Sequence, residues 1–302
     1  MPFGVNNAQA VLLDGRVYVG GGYTHKDEDR HAILINTPER DEWSRLPQSP
    51  VRWFSMASVN HQLVLAGGQE VNGDKTSMLT VWDSTSCSWV HPYPPMPTVQ
   101  SCAAAVGYQQ FLVVVGPSSN SVLTGPSPAC VEVLDTSTLQ WHTAHPLPVA
   151  CDSMASALLG DTLYLIGGIS DFLSPTTRVF STSLPTLISH AVQSHRYYNT
   201  PSTVNPAVVS VWETLSETPL LYSTVLAFSD SILAVGGMDD IGEYCSSVHI
   251  YNPADKEWMK VGDMPVRRSR LTCVVLSSGE LLVSGGRNEH DVYSNEVYKF
   301  NV

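Results

Sequence analysis

The chain has 302 residues, of which 43% are hydrophobic, so it is long and apolar enough to bury a sizeable core. Its formal net charge is −12, with 28 acidic residues against 16 lysine and arginine residues, which makes it a poor electrostatic match for a nucleic-acid backbone. No apolar run is long enough to span a membrane, and the first residues lack the basic and apolar regions of a secretory signal.

The six cysteines are widely spaced, and none forms a CxxC pair. This pattern favours free thiols in a reducing compartment over a disulfide framework. Together with the exclusions above, it predicts a cytoplasmic protein that binds neither nucleic acid nor membrane.

A short apolar run that ends in a glycine pair recurs along the chain. The copies, in order, are VYVGGG ending at Gly22, LVLAGG at Gly68, an altered LVVVGP at Pro117, LYLIGG at Gly168, ILAVGG at Gly237 and LLVSGG at Gly286. Most copies lie about fifty residues apart, which indicates an internal structural repeat. Because strands follow the glycines, we do not expect them to cradle a phosphate at a helix N-terminus.

Each of the first five glycine motifs is followed by an alternating run, a turn and a tryptophan, and then by a proline. The tryptophans are Trp43, Trp89, Trp141, Trp212 and Trp258, and the prolines are Pro47, Pro97, Pro148, Pro219 and Pro265. A strand of small residues leads from each proline to the next glycine motif. The pattern predicts four short strands per repeat, with small residues at a crowded axis and tryptophan in the core of a wide outer edge.

The glycine doublet, the turns at Trp82-Asp83 and Tyr251-Asn252, and the tryptophan before Met-Pro or Leu-Pro resemble kelch repeats. The resemblance covers the whole chain in six copies. It implies an all-β, six-bladed β-propeller of four-stranded antiparallel blades that forms one domain over residues 1–302. The blades are expected at residues 1–47, 48–97, 98–148, 149–219, 220–265 and 266–302.

Two repeats depart from the kelch pattern. Blade three has Gly116-Pro117 in place of the glycine doublet, so we expect an altered turn there. Blade four carries an insertion at residues 183–206, whose centre could form one short helix and whose end is a loop. We interpret the insertion as an excursion at the outer edge, and the alternative is a docking element that uses Arg196, Tyr197 and Tyr198.

The last repeat lacks the segment that would hold its tryptophan. Its third strand, EVYKFNV, ends at Val302, so we expect blade six to lack its outermost strand in this chain. Our hypothesis is that an upstream domain of a longer protein supplies this strand. The alternative is a ring closed by packing of blades one and six, with an exposed strand edge at Glu296–Val302.

The sequence carries no recognisable catalytic or metal-binding motif. It lacks G-x-S-x-G, and His142 and His145 are three residues apart on a strand, so their side chains face opposite ways. We therefore predict no catalytic residue, no metal and no cofactor. The alternative is a sugar mutarotase, because sialate mutarotases are kelch-like six-bladed proteins with a polar central pocket. An inward-facing carboxylate and arginine in a deep polar cavity would favour that enzyme.

In a kelch-like ring, the loops after the proline and the loops after the glycine doublet share one face. From the first loop type we select Asn6, Arg52, Trp53, Gln100, Asp152, Tyr222, Arg268 and Arg270, and from the second Tyr23, Gln69, Ser118, Ile169, Met238 and Arg287. These side chains vary among copies where folding does not require repetition, as expected of a binding rim. The arginines favour an acidic or carboxylate-bearing peptide.

These observations predict a non-catalytic protein–protein interaction module that binds a partner protein through one face. Such propellers resemble substrate-recruiting modules of ubiquitin ligases and modules fused to signalling domains. We therefore expect the chain to belong to a larger protein of the signalling or ubiquitin-ligase-adaptor type.

Overall fold

Six antiparallel sheets form the blades of a propeller ring, as the repeats predict. The computed structural model describes residues 1–117, 129–149, 151–170, 174–198 and 211–301. The main sheet of five blades has four strands, and the described part of blade six has three; blades one, two and four each contain an additional two-stranded sheet. The predicted six-bladed fold and the shorter last blade are both confirmed.

The strands follow one another blade by blade along the chain. Blade one contains β1 (Val5–Asn6), β2 (Gln9–Leu13), β3 (Arg16–Gly20), β4 (Tyr23–Thr24), β5 (Ile33–Thr37) and β6 (Glu42–Arg45). Blade two contains β7 (Val51–Arg52), β8 (Ser55–Val59), β9 (Gln62–Ala66), β10 (Gln69–Glu70), β11 (Leu79–Asp83) and β12 (Ser88–Val90). Blade three contains β13 (Ala104–Tyr108), β14 (Phe111–Pro117), β15 (Ala129–Asp135) and β16 (Gln140–Thr143).

Blade four contains β17 (Cys151–Asp152), β18 (Ala155–Leu159), β19 (Thr162–Ile166), β20 (Ile169–Ser170), β21 (Val179–Ser183) and β22 (Glu213–Leu215), with the helix α1 (Leu184–Tyr198) before β22. Blade five contains β23 (Thr224–Phe228), β24 (Ser231–Met238), β25 (Tyr244–Asn252) and β26 (Glu257–Asp263). Blade six contains β27 (Ser269–Val275), β28 (Leu281–Arg287) and β29 (Val297–Phe300). A 3-10 helix at Asp27–Asp29 lies in blade one.

The small residues of each first strand lie at the centre of the ring. The innermost strands β2, β8, β13, β18, β23 and β27 contact one another in a closed cycle. Crowding there is severe, because a Cβ added to Gly107 in β13 would lie 1.8 Å from the carbonyl oxygen of Ser58 in β8. The strand order places each tryptophan segment outermost. Each blade is therefore narrow at the axis and wide at the outer edge, as the sequence predicts.

The glycine doublet allows neighbouring blades to approach closely. Gly67 has a φ of 62°, and a Cβ at this residue would lie 2.3 Å from the carbonyl oxygen of Gln100 in the next blade. In blade three, β14 continues through Gly116 to Pro117, and Gly116 does not adopt a positive φ. The turn predicted to differ there is replaced by a longer strand.

The outer tryptophans tie consecutive blades together. The indole N–H of Trp89 donates to the carbonyl of Pro47 at 3.0 Å, and that of Trp141 donates to Pro94 at 3.1 Å. Trp212 donates in the same way to the carbonyl of His145 in blade three, at 3.0 Å. Each indole therefore fills the outer part of its own blade and also holds the preceding blade.

The insertion in blade four contains a helix of 15 residues, longer than the short helix predicted from the sequence. Four apolar residues of α1 are buried in the core cluster that includes Trp212: Leu184, Leu187, Ile188 and Ala191. Their spacing is that of one helical face, which explains why the helix packs on the sheet. Arg196, Tyr197 and Tyr198 lie in its last turn, and the insertion beyond residue 198 lies outside the described residues.

Blades six and one close the ring through several contacts. The backbone N–H of Val5 donates to the carbonyl of Ser294 at 3.1 Å, and Lys299 Nζ donates to the carbonyl of Pro38 at 3.1 Å. Within the described residues, β29 has β28 on one side and no strand on the other. Its outer edge is therefore unpaired, which both hypotheses for blade six predict for this chain alone.

Cys87, Cys102, Cys245 and Cys273 are free thiols. Of the helices in the described part of the chain, none has the length and apolarity needed to cross a bilayer.

Candidate functional site

The two loop types meet on one face of the ring, where their residues pair as short antiparallel bridges. The pairs are Asn6 with Tyr23, Arg52 with Gln69, Asp152 with Ile169, Leu221 with Met238, and Ser269 with Arg287. Ser118 in blade three lies outside the described residues. The post-proline loop and the post-glycine loop of these five blades thus form a joint rim.

Six residues with left-handed backbone conformation surround the mouth of the central cavity. They have φ angles between 52° and 57°, none is glycine, and each blade contributes one: Asn7, Trp53, Cys102, Ser153, Tyr222 and Arg270. All six line a cavity of about 380 Å³ on the propeller axis. We call them the mouth ring. Their side chains differ in size, polarity and charge, although their backbone geometry is the same.

Backbone hydrogen bonds join the mouth ring into two arcs. The N–H of Asn7 donates to Arg270 and the N–H of Arg270 donates to Tyr222, both at 2.9 Å. On the other side, the N–H of Ser153 donates to Cys102 at 2.9 Å and the N–H of Cys102 donates to Trp53 at 3.1 Å. The first arc therefore comprises blades one, six and five, and the second comprises blades two, three and four.

The repeated left-handed geometry is energetically unfavourable. A non-glycine residue in this region costs on the order of 1–3 kcal/mol, and such residues cluster at binding sites and active sites. Glycine would remove this cost, yet it occurs at none of the six positions. Retaining six different side chains under strain suggests that the side chains are needed at the mouth.

Counting from the proline selected some neighbours of the mouth ring instead of its members. Trp53, Tyr222 and Arg270 are members, whereas Asn6 and Asp152 each precede one by a single residue. The interval from the proline to the ring varies between blades, so counting from it fails. Counting back from the innermost strand identifies the mouth-ring residue of five blades, because that residue lies two positions before the start of β2, β8, β13, β18 or β23. Asn7, Cys102 and Ser153 were missed for this reason.

Two predicted rim residues, Gln100 and Arg268, point into the protein. Gln100 is 1% exposed and donates to the carboxylate of Glu132 at 3.0 Å. Arg268 is 5% exposed and pairs with Glu296 and the hydroxyl of Ser294. Both side chains hold their own blade together, and the free protein does not offer them to a ligand.

The Glu132 carboxylate has an unfavourable environment. Burial raises its pKa above the ordinary value of 4.5, although hydrogen bonds from Thr98 and Gln100 oppose this rise. The folded state therefore binds the Glu132 proton more tightly than the unfolded chain does. This residue adds stability at acidic pH, and that contribution is lost as the pH rises through the folded-state pKa.

We expect Glu132→Gln to be at least as stable as the wild type at pH 7. The neutral amide avoids burying a charge, and it can donate to Gln100 Oε1, a buried oxygen without a partner among the described residues. Urea unfolding at about pH 4 and pH 7 should show that the free energy of unfolding of the variant, relative to the wild type, increases as the pH rises. If the variant is less stable relative to the wild type at pH 7 than at pH 4, this explanation of the Glu132 environment is wrong.

One half of the mouth carries an aromatic and cationic platform. The Arg52 guanidinium lies 4.6 Å from the centre of the Trp53 ring, and its Nε donates to Gln69 at 3.0 Å. The rings of Tyr23 and Trp53 are 5.7 Å apart. The indole N–H of Trp53 is buried without an acceptor among the described residues. The platform therefore presents the Arg52 guanidinium beside two aromatic rings.

The opposite half places Arg270 over Tyr222, with the guanidinium 4.1 Å from the ring centre. Burial raises the pKa of Tyr23, and Cys102 and Asp152 raise it further while Arg270 lowers it, so these groups act on one another across the mouth. Burial, helped by Asp152, also raises the pKa of Cys102 to about 11. The Cys102 thiol stays protonated at neutral pH and is a weak nucleophile.

The remaining predicted residues differ in their availability. Arg287 forms an ion pair with Asp291, and Asn6 is 3% exposed. Five described arginines are half-buried or buried: Arg30, Arg52, Arg268, Arg270 and Arg287. Within this set, only Arg52 and Arg270 have no carboxylate partner in the described structure.

The cavity below the mouth is lined mostly by small and apolar residues of the innermost strands, such as Ala57, Ala105 and Val225. Of the described residues that line it, Arg270 is the one charged side chain. The described residues contain no cluster of three or more histidine, cysteine or acidic side chains with the geometry of a metal site.

Comparisons with known proteins point to one repeat family. A family model described as Kelch motif matches residues 219–265. The human Kelch-like protein 15 is 23% identical over 292 residues, which cover 92% of this chain and 45% of that protein. Kelch-like protein terF of Aspergillus terreus is 26% identical over 195 residues, covering 58% and 41%, respectively. Kelch-like protein 36 of Rattus norvegicus is 26% identical over 174 residues, covering 56% and 28%.

The chain thus spans less than half of the length of these curated relatives. Among solved structures, that of YjhT superposes with a TM-score of 0.77 at 16% identity, covering 100% of this chain and 96% of that one. At this identity the likeness concerns the fold alone.

Proposed function

We propose that this chain, a six-bladed kelch-repeat β-propeller, is a non-catalytic module that binds a partner protein at the mouth-ring face. The observation that carries the proposal is the mouth ring itself. Six strained positions share one backbone geometry and present six different side chains around a cavity. Strain kept at every copy together with variation of every side chain is the pattern of a recognition surface on a repeat scaffold.

The partner segment is acidic or carries a carboxylate. Arg52 and Arg270 present guanidinium groups that their neighbouring aromatic rings hold in place. Guanidinium groups bind carboxylates through paired hydrogen bonds, and the preorganised orientation reduces the entropy lost on binding. We further propose that the chain acts in the cytoplasm within a longer protein of the signalling or ubiquitin-ligase-adaptor type, in line with the greater length of its relatives.

The cavity lining supports binding over the alternative of a sugar mutarotase. General acid–base catalysis requires titratable groups that face the reacting atoms. Arg270 is the one charged group among the described lining residues, and the nearby Asp152 belongs to the rim rather than to the cavity wall. The arrangement is therefore better suited to holding a side chain of a partner than to transferring protons within the cavity.

The double variant Arg52→Ala/Arg270→Ala is expected to lose partner binding. Each arginine contributes hydrogen bonds to a charged group, so the loss should be at least about tenfold for proteins captured from a cell extract. Quantitative mass spectrometry of captured proteins measures this loss. The matched control is Arg16→Ala/Arg40→Ala, which removes the same charge from exposed turns at the far ends of β3 and β5.

The control variant should capture the same proteins as the wild type. Thermal melting of all three proteins checks that folding is unchanged. If the double mouth variant is folded and captures an unchanged set of proteins, the mouth-ring face is not the binding site.

A further inference from the structure

Opposite charges stand at the mouth without forming an ion pair. Asp152 precedes the ring member Ser153 in blade four, and Arg270 is the ring member of blade six. The Arg270 charge lowers the pKa of Asp152, so the two groups are near enough to interact. However, no nitrogen of Arg270 lies within 4.0 Å of the Asp152 carboxylate in the described structure. Both groups therefore keep hydrogen-bonding capacity for a third participant.

The backbone explains why the pair stays open. Asp152 is fixed by the pairing of β17 with β20, next to the arc that ends at Ser153. Arg270 belongs to the other arc, and its guanidinium is held over Tyr222. Of the interblade bonds described above, none connects Ser153 to Tyr222. The two charges thus belong to different arcs, and Arg270 lies over Tyr222, the ring member of the blade next to that of Asp152.

Asp152 is not satisfied by its surroundings. It is half-buried, and burial is the largest influence on its pKa, which is raised. The neighbouring Ser153 hydroxyl lowers the pKa of Asp152, as do the charges of Lys75 and Arg270. A carboxylate has about four acceptor positions, so one hydroxyl leaves most of its capacity unused. A desolvated carboxylate in this state gains strongly from a donor that a ligand brings.

We propose that the mouth binds a two-part group, in which a carboxylate sits at Arg270 and an N–H donor sits at Asp152. The chemical class is an acidic amino-acid unit, whose side-chain carboxylate and own N–H are a few bonds apart. The N–H is an amide in a peptide and an ammonium in a free amino acid. This inference rests on the proposed binding face and adds to it a requirement for a donor beside the acid.

The probes that separate these features are N-acetylglutamate N-methylamide, free glutamate and glutarate. All three carry the carboxylate, but glutarate lacks the N–H. Titrations followed by amide NMR shifts of the isotope-labelled chain give the three dissociation constants, up to about 10 mM. The wild type should bind each N–H-bearing probe about tenfold more tightly than glutarate, which is the effect of one hydrogen bond to a charged group.

The variant Asp152→Asn keeps the shape of the side chain and removes its charge. It should reduce the preference over glutarate, because an amide oxygen is a weaker acceptor than a carboxylate, and leave glutarate binding unchanged or stronger, because a repelling carboxylate is gone. Arg270→Ala should weaken all three probes. Asp230→Asn is the matched control, because it makes the same change in the exposed hairpin turn between β23 and β24 of blade five, at the end of the blade away from the mouth. It should leave the affinities for all three probes unchanged.

The outcomes separate the two proposals. Equal affinities for glutarate and the N–H probes, with Arg270 still required, would overturn the donor site and leave the binding face standing. A preference that Asp152→Asn leaves undiminished would overturn the role of Asp152. Tighter binding of free glutamate than of the amide would assign the site to a free amino acid. If no probe shifts the mouth-ring amides, both the donor site and the acidic-ligand proposal are wrong.

Discussion

Substituting Gly107 with alanine is expected to lower the free energy of unfolding by about 3 kcal/mol, at the upper end of overpacking effects. The added Cβ would lie 1.8 Å from the carbonyl oxygen of Ser58, well inside van der Waals contact. The clashing atom belongs to the backbone of an innermost strand, so no side chain can rotate away to relieve it. Relief requires moving blades two and three apart, which disturbs the ring at its most crowded point.

Gly262→Ala is the matched control. This glycine lies in the outermost strand of blade five, its φ is not positive, and a Cβ there meets no atom within 4 Å. Its effect should stay within about 0.5 kcal/mol. Urea unfolding of both variants measures the difference. If the two substitutions cost the same, the close packing of the innermost strands is incorrect.

Trp212→Ala is expected to cost about 3–5 kcal/mol, the usual range for removing a buried large aromatic side chain. Trp212 is 6% exposed and packs in the core cluster that contains Phe180 and Leu187. Its removal opens a cavity beneath α1 and leaves the carbonyl of His145 without the indole donor. We therefore expect the substitution to weaken the packing of blade four and its attachment to blade three.

Trp212→Phe separates the two contributions. Phenylalanine retains most of the packing but cannot donate to His145, so we expect a loss smaller than that of the alanine variant, with about 1 kcal/mol due to the hydrogen bond. Trp43→Ala provides a comparison, because Trp43 is half-buried and its indole has no hydrogen-bond partner among the described residues. It should cost less than Trp212→Ala in urea unfolding. An equal cost would show that burial and blade-to-blade bonding do not distinguish these tryptophans.

The blade architecture could be predicted because its signals are local and repeated. Each glycine doublet, alternating run and tryptophan occupies a constant position within its blade, so six weak patterns reinforce one another. The shorter last blade followed from the same count. The helix α1 was underestimated, although Leu184, Leu187, Ile188 and Ala191 have helical spacing. The full length of the helix depends on packing of its apolar face against the sheet, and that contact cannot be read from the local sequence.

The rim was harder to predict than the blades. Arg268 and Gln100 are residue types typical of binding sites, but their partners Glu296 and Glu132 come from segments about thirty residues later in the chain. Burial of this kind depends on tertiary packing and has no local signature. The mouth ring was missed in part because the proline is a poor reference point. The start of the innermost strand is the better one, since the strand itself is held by the neighbouring blades.

The division of the mouth ring into two arcs has a mechanical consequence. Blades one to four are fastened in series by the indoles of Trp89, Trp141 and Trp212, while the indole N–H of Trp258 in blade five is buried without an acceptor in the described structure. Blades two, three and four are therefore joined both at the mouth and at the outer edge, and Asp152 lies in blade four whereas Arg270 lies in blade six. A molecule that contacts both residues would link the two arcs, so the melting temperature of the protein would rise with its occupancy.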